Sequence, residues 1–211
     1  MVLSFALAMP VAAVMVAAGA SDGAVGAVVT AAGGGLMLLF AWLFWRGLPA
    51  HERRLAIAVK GRRWPAVAWG ALVGFGLMVG SVAVVAAGAM LDPTVADRLE
   101  ERSIDIGSAP WQRGLMLIGL VVLAPLSEEL VFRGLLLRTL ARRFAFWPAA
   151  AISGLVFGGV HIDAYEVWPR LLALALTGVG LAVLYRWRGY PAAGAAHATV
   201  NAVAGGALLG G

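Results

Sequence analysis

Residues 114–137 read GLMLIGLVVLAPLSEELVFRGLLL, an apolar run that is long enough to cross a bilayer and yet contains charged side chains. Glu128 and Glu129 lie near its middle, and Arg133 follows one helical turn later. A charge near the bilayer centre costs about 2.5 to 3.5 kcal/mol on insertion scales, so an ionisable residue at that depth indicates function. This run therefore predicts a membrane helix that carries part of a functional site.

The composition extends this prediction to the whole chain. Of 211 residues, 62% are hydrophobic and 13% are charged, and the mean hydropathy is +0.89. One helical span needs about 20 apolar residues, so we expect an all-α, polytopic transmembrane bundle of about seven spans, with residues 1–211 forming a single membrane domain. Because the chain contains no cysteine, thiol catalysis and disulfides are excluded. The predicted spans cover residues 2–20, 25–45, 64–90, 114–137, 146–162, 171–185 and 190–209.

Basic residues are concentrated in three connections between spans, at 46–63, 138–143 and 186–188. These connections alternate so that all three share one face, which the positive-inside rule assigns to the cytoplasm. We therefore predict a multi-pass protein of the cell membrane with a cytoplasmic N-terminus and an external C-terminus, and with the acidic residues of 92–113 and 163–166 outside. The net charge of +5 is explained by topology and does not indicate nucleic-acid binding.

The first predicted span ends in small residues, as a signal-peptide cleavage site does. It lacks a basic region in front of it, however, and its apolar part is long. We interpret residues 1–20 as the first membrane span, with removal as a signal peptide as the alternative.

Helical spacing separates the two glutamates. Glu129 and Arg133 are four residues apart on one helical face and can form an ion pair, whereas Glu128 points about 100° away. We interpret Glu129 with Arg133 as a supporting pair, with a catalytic role for Glu129 as the alternative. Glu128 has no local counter-charge and is our candidate general base for a water molecule. Pro125 removes an intrahelical hydrogen bond and is predicted to bend the span and open a wet cavity.

Two other spans carry polar side chains at comparable depth. His161 follows Phe157 by four residues, and Asn201 follows His197 by four residues, so each pair shares a helical face. His161 is either a catalytic residue or a hydrogen-bonded core histidine, and Phe157 is either packing or a substrate wall. His197 and Asn201 together form a candidate oxyanion hole, with an interhelical hydrogen-bond pair as the alternative. At about 1.5 Å per residue, Glu128, His161 and His197 all lie near the midplane.

In this order, the three motifs resemble those of the CAAX protease and bacteriocin-processing family. The family pattern EExxxR, FxxxH and HxxxN is similar to residues 128–133, 157–161 and 197–201, and the resemblance covers roughly residues 114–205. It implies an intramembrane glutamate-type endopeptidase, similar to the type 2 CAAX prenyl endopeptidases of the Ras-converting enzyme family. The substrate implied is a membrane-embedded or lipidated peptide or protein.

The resemblance also implies roles for individual residues. Glu128 would activate water, His161 would help to hold it, and His197 with Asn201 would stabilise the oxyanion. Glu129 and Arg133 would support these groups, and Phe157 would line the site. No cofactor is implied, but two histidines and a glutamate also resemble a zinc site, so a catalytic zinc is the alternative.

We expect a hydrolase that cleaves a peptide bond inside the membrane or at its cytoplasmic edge. The alternative from another class is a non-catalytic bacteriocin-immunity or peptide-binding membrane protein that uses the same pocket. A small transporter or proton relay is the third hypothesis, since midplane glutamates and histidines also mark ion paths. The sequence shows no repeated half with broken helices to favour it. It does not predict an oligomeric state.

Overall fold

The computed structural model describes residues 2–100, 107–161 and 167–209, and these residues form helices with a single isolated bridge and no sheet. The all-α prediction is therefore confirmed over the described ranges. Each predicted apolar run corresponds to one helix, and two short helices lie in connections. The helices are α1 (Val2–Ala17), α2 (Asp22–Arg46), α3 (Ala50–Ala56), α4 (Arg63–Leu91), α5 (Thr94–Glu100), α6 (Pro110–Leu140), α7 (Phe146–Gly159), α8 (Trp168–Arg188) and α9 (Tyr190–Leu209).

Four helices, α2, α4, α6 and α8, are both long enough and apolar enough to cross a membrane. In α1 the apolar stretch Leu7–Ala17 is shorter, as is the whole of α7, and α9 has 20 residues. Large apolar side chains face outward, among them Leu72, Phe75 and Val79 of α4. Such a surface suits contact with lipid, so the protein is a membrane protein. The total of about seven crossings stays a prediction.

Glycines let α4 approach α9 closely. A Cβ added at Gly70 would collide with the carbonyl oxygen of Ala192, and one added at Gly74 would collide with that of Ala196. Small residues at such positions allow backbones to touch, which is a common way of packing membrane helices. This contact supports α9 on the side facing α4, while α9 also packs against α6.

The same spacing has different outcomes elsewhere. Gly154 of α7 packs against α8, where an added Cβ would lie 2.7 Å from the carbonyl oxygen of Ala175. Gly76 and Gly80 have the spacing that favours close packing, yet an added Cβ would meet no other described atom within 4 Å. Four-residue spacing thus places two glycines on one helical face without determining which described neighbour that face meets.

The three basic connections meet at one end of the bundle. Glu52 of α3 accepts a hydrogen bond of 2.6 Å from Arg138, and its other oxygen lies 2.7 Å from Arg142. Lys60 donates from Nζ to the carbonyl oxygen of Arg186. These contacts confirm that the connections share a face, and its assignment to the cytoplasm stays a prediction. Residues 101–106 and 162–166, with much of the acidic charge expected on the other side, lie outside the described residues.

We predict that Gly74→Ala destabilises the protein by about 1 to 3 kcal/mol, because the added methyl group forces α4 away from the backbone of α9. Gly76→Ala is the matched control on the same helix, and it is expected to leave the melting temperature unchanged or slightly raised. Thermal unfolding of both variants in detergent makes the comparison. Equal melting temperatures for the two would contradict this account of the α4 contact.

A second prediction concerns the pH dependence of the Glu52 contacts. The hydrogen bond from Arg138 holds the pKa of Glu52 below its ordinary value. Because the folded-state pKa is lowered, the stabilisation is present above the ordinary value and is lost as the pH falls through the folded-state value. We therefore expect Glu52→Gln to lower the melting temperature at about pH 7 and to match the wild type near about pH 3. Asp97→Asn, at an exposed carboxylate of α5, should show no such convergence.

Candidate active site

Helix α6 changes its geometry on both sides of Pro125. Ile118–Leu123 and Leu130–Leu137 are π-helical, and the short α-helical segment Ala124–Glu129 lies between them. Turns of π-helix are rare and often occur at functional sites. Two π-helical segments thus bracket the pair of glutamates, and the bend expected at Pro125 stays a prediction. The wet cavity expected beside it stays a prediction.

Side chains supply donors to carbonyl groups along this interrupted helix. The Ser127 hydroxyl, which is fully buried, lies 2.8 Å from the carbonyl oxygen of Leu123 and 2.9 Å from that of Ala124. Tyr190, the first residue of α9, donates its O–H to the carbonyl oxygen of Leu126 at 2.6 Å. The N–H of Leu130 also donates to the carbonyl oxygen of Leu126, so the Tyr190 bond adds to the backbone bond there and ties α9 to α6.

Glu129 and Arg133 are both fully buried and in contact. Arg133 Nη1 lies 3.1 Å from Glu129 Oε1, and Nη2 donates to the carbonyl oxygen of Gly178 at 3.0 Å. The guanidinium also lies over the ring of Phe157, 4.7 Å from its centroid. A buried cation needs such partners to offset its loss of hydration. Arg133 therefore links α6 to α7 and α8.

His197 of α9 joins this pair to the second glutamate. Its Nδ1 lies 2.9 Å from Glu129 Oε1, and its Nε2 lies 3.7 Å from Glu128 Oε2. An ionised carboxylate only accepts, so Nδ1 is assigned as the protonated nitrogen, and Nε2 of the neutral ring is an acceptor. Glu128 is 5% exposed, and its Oε2 has no hydrogen-bond partner among the described residues. Two acceptors thus face each other across a gap too long for a hydrogen bond.

His161 lies beside the same aromatic ring as His197. The ring centroid of Phe157 is 5.0 Å from that of His161 and 5.5 Å from that of His197. His161 Nδ1 lies 2.7 Å from the carbonyl oxygen of Phe157, which can only accept, so Nδ1 is the donor and Nε2 remains an acceptor. The structure therefore brings both histidines, the phenylalanine and, through His197, both glutamates into one connected cluster.

Asn201 makes a different contact from the one expected for it. Its Nδ2 donates to the carbonyl oxygen of Leu120 on α6 at 2.8 Å. That hydrogen is directed at the backbone of a neighbouring helix, although Asn201 and His197 lie on adjacent turns of α9. The amide therefore crosslinks α9 and α6 beside the cluster.

Several groups that support the site were not singled out in the sequence. Tyr190 and Ser127 satisfy carbonyl oxygens of α6, Ser153 donates to the carbonyl oxygen of Phe132, and Gly178 supplies a carbonyl to Arg133. A hydroxyl inside an apolar span is the signal that identifies Ser127 and Ser153. Among the residues that the structure describes, no group of three or more His, Cys, Asp or Glu side chains is placed to hold a metal ion.

These features define a helical membrane protein with a buried site of adjacent glutamates and two histidines. Residues 110–203 match a family model described as Rce1-like, type II CAAX prenyl endopeptidase Rce1-like. This match covers 94 of the 211 residues, so the C-terminal half of the chain contains a region similar to the Rce1-like family. The resemblance drawn from the three motifs is thereby confirmed.

One curated relative gives no further functional information. A protein from Escherichia coli described as "Uncharacterized 24.3 kDa protein" is 31% identical over 141 residues, which cover 59% of this chain and 61% of the relative. The chain thus matches about three fifths of that relative's length. No solved structure matches the chain.

We predict that Arg133→Met destabilises the protein by about 3 to 5 kcal/mol, because it leaves the Glu129 carboxylate buried without its cation. The double variant Glu129→Gln with Arg133→Met removes both charges and should recover part of that loss. Unfolding in a denaturing detergent measures all three proteins. Arg143→Met, at an exposed arginine, serves as the control. A single variant as stable as this control would mean that the ion pair does not hold the helices together.

Proposed function

We propose that this protein is an intramembrane peptide-bond hydrolase in which Glu128 activates a water molecule. The match of residues 110–203 to the Rce1-like family model supports protease activity in general terms. The observation that carries the specific proposal is the arrangement of Glu128 Oε2, which is buried, has no hydrogen-bond donor among the described side chains and backbone, and lies 3.7 Å from His197 Nε2.

A water molecule fits the chemistry of two facing acceptors. It has two hydrogens, and a separation of 3.7 Å allows it to donate one to Glu128 Oε2 and the other to His197 Nε2 at ordinary hydrogen-bond lengths. Its lone pairs then point away from both side chains. A peptide carbonyl carbon presented from that direction would meet the oxygen in a geometry suited to attack.

The proton of that water moves to Glu128 as its oxygen bonds to the carbonyl carbon. The carbonyl oxygen becomes an oxyanion, the carbon–nitrogen bond then breaks, and the proton passes from Glu128 to the leaving amine. Glu129 Oε2 also has no hydrogen-bond partner among the described residues, but Oε1 contacts Arg133 and His197, so the charge of this carboxylate is already paired. Glu129 holds His197 in the orientation in which Nε2 faces Glu128.

We assign His161 to holding the substrate, because both hydrogens of that water are already donated to Glu128 and His197, and the acceptor Nε2 of His161 belongs to a ring that touches Phe157. The resemblance assigns oxyanion stabilisation to His197 and Asn201. In the reaction as proposed His197 Nε2 accepts from the water, and one amide hydrogen of Asn201 is engaged by Leu120, so this assignment stays a prediction from the resemblance. The reaction as proposed uses no resident metal.

The substrate that we propose is a membrane-embedded or lipidated peptide or protein, cleaved inside the membrane or at its cytoplasmic edge. Glu128 lies ten residues before Arg138, or about 15 Å along the helix from the basic face. A soluble peptide would have to enter an apolar bundle to reach that depth, whereas a chain already held in lipid would not. The proposed orientation places the N-terminus in the cytoplasm and the C-terminus outside.

The test offers hydrophobic and lipidated peptides to the purified protein in detergent and follows cleavage by mass spectrometry. We expect Glu128→Gln, which keeps the shape of the side chain but removes the base, to lower kcat by about 10²- to 10⁴-fold. Asp97→Asn neutralises an exposed carboxylate on α5, outside the proposed site, and should retain full activity. A chelator in the same assay should leave cleavage unchanged.

Cleavage by Glu128→Gln at the wild-type rate would overturn the proposed function. Peptide binding by the wild type and by Glu128→Gln, with cleavage by neither, would favour the non-catalytic peptide-binding or immunity protein. Proton flux in liposomes that depends on Glu128, again without cleavage, would favour the transporter.

A further inference from the structure

The first π-helical segment of α6 leaves one carbonyl group without its expected backbone donor. At its end the N–H of Ala124 donates to the carbonyl oxygen of Gly119, five residues earlier. In the same pattern, the N–H of residue 125 would donate to the carbonyl oxygen of Leu120. Residue 125 is proline and has no N–H, so this bond cannot form.

The side chain of Asn201 occupies the place of that missing donor. Its Nδ2 donates to the carbonyl oxygen of Leu120 at 2.8 Å, from a helix that is 81 residues away in sequence. A carbonyl group without its backbone donor is costly in an apolar environment, so a single amide that donates to it has a large effect.

We infer that Asn201 is a positioning residue: its amide replaces the backbone N–H that Pro125 lacks and holds α9 in the register that places His197 between Glu128 and Glu129. This inference rests on the proposed function and gives Asn201 a role other than contact with the reacting atoms. Asn201 acts through the backbone of α6, and His197 is the group that meets the water.

The geometry of α9 supports this role because the helix is fixed to α6 on both sides of His197. Tyr190 precedes His197 by about two turns and donates to the carbonyl oxygen of Leu126, and Asn201 follows it by about one turn. A slip of one residue would rotate His197 by about 100° and remove it from both carboxylates. Two such bonds, each with a carbonyl of α6, fix both the rotation and the height of the imidazole.

A direct role in stabilising the oxyanion makes a different prediction from a positioning role. An oxyanion donor must point at the substrate, and nothing done to the backbone of α6 can replace it. A donor whose only task is to satisfy Leu120 becomes dispensable once residue 125 has an N–H of its own. Pro125 and Asn201 should therefore be coupled.

The experiment compares Asn201→Ala, Pro125→Ala and the double variant by melting temperature and by kcat and KM on the peptide that the wild type cleaves. We expect Asn201→Ala to lower the melting temperature and to lower kcat by about 5- to 100-fold, the range for a buried group that loses its partner. Adding Pro125→Ala supplies an N–H for Leu120 and should restore kcat to within about threefold of Pro125→Ala alone. The melting temperature should recover in parallel.

Thr199→Ala is the matched control, because Thr199 lies on α9 beside Asn201 and its hydroxyl donates only to the carbonyl oxygen of Ala195 in the same helix. It should leave both readouts nearly unchanged. Pro125→Ser is a second variant that supplies the N–H, for use if Pro125→Ala does not fold.

The inference is overturned if Asn201→Ala lowers kcat at an unchanged melting temperature and neither substitution of Pro125 restores it, since that result describes an oxyanion donor. It is also overturned if the stability losses of Asn201→Ala and Pro125→Ala simply add. The melting temperatures do not depend on catalysis, so a failure of the proposed function, shown by an active Glu128→Gln, is distinguishable from a failure of this coupling.

Discussion

The buried guanidinium of Arg133 is the constraint around which the site is arranged. It is fully buried in a membrane protein, where a lone cation would be severely destabilising. Its compensation comes from three directions: the carboxylate of Glu129 on the preceding turn, the carbonyl oxygen of Gly178 on α8, and the face of Phe157 on α7. Satisfying one charge therefore fixes the mutual position of three helices. Glu129 therefore pairs with Arg133. The same carboxylate oxygen also accepts a hydrogen bond from His197 on a fourth helix, α9.

A second constraint comes from the irregular backbone of α6. Pro125 has no N–H, so the carbonyl oxygen of Leu120 at the end of the first π-helical segment lacks its backbone donor. Asn201 of α9 donates to that oxygen, while Tyr190 of α9 and Ser153 of α7 donate to two other carbonyl oxygens of α6. Each of these bonds ties another helix to α6. These bonds therefore hold the neighbouring helices at defined positions against the segment that carries the two glutamates.

The sequence predicts the helices well and the site only in outline. Apolar runs of sufficient length identify spans because a bilayer permits little else, and four-residue spacing correctly places Glu129 beside Arg133. Spacing alone does not say which helical face meets a neighbour, since Gly76 and Gly80 are four residues apart and a Cβ added at either would meet no described atom within 4 Å. It also leaves the contacts between helices undetermined. The position of His197 between the two glutamates depends on the depth and rotation of α9 against α6. The contact between the Asn201 amide and Leu120 depends on them as well. The local sequence pattern encodes neither.

Charge balance explains why the two adjacent glutamates have different tasks. Glu129 and Arg133 neutralise each other, so with neutral His197 the cluster carries the single negative charge of Glu128. When Glu128 takes a proton from water and the oxygen adds to a carbonyl carbon, Glu128 becomes neutral and the oxyanion carries the charge. The number of charges in the apolar interior does not change; one negative charge moves a short distance within the field of the same guanidinium. A water that instead lost its proton to bulk solvent would separate charges across the membrane interior, which is far more costly. Glu128 has no fixed cation, and the adjacent Glu129 has one. This arrangement lets hydrolysis occur in lipid without separating charges across the membrane interior.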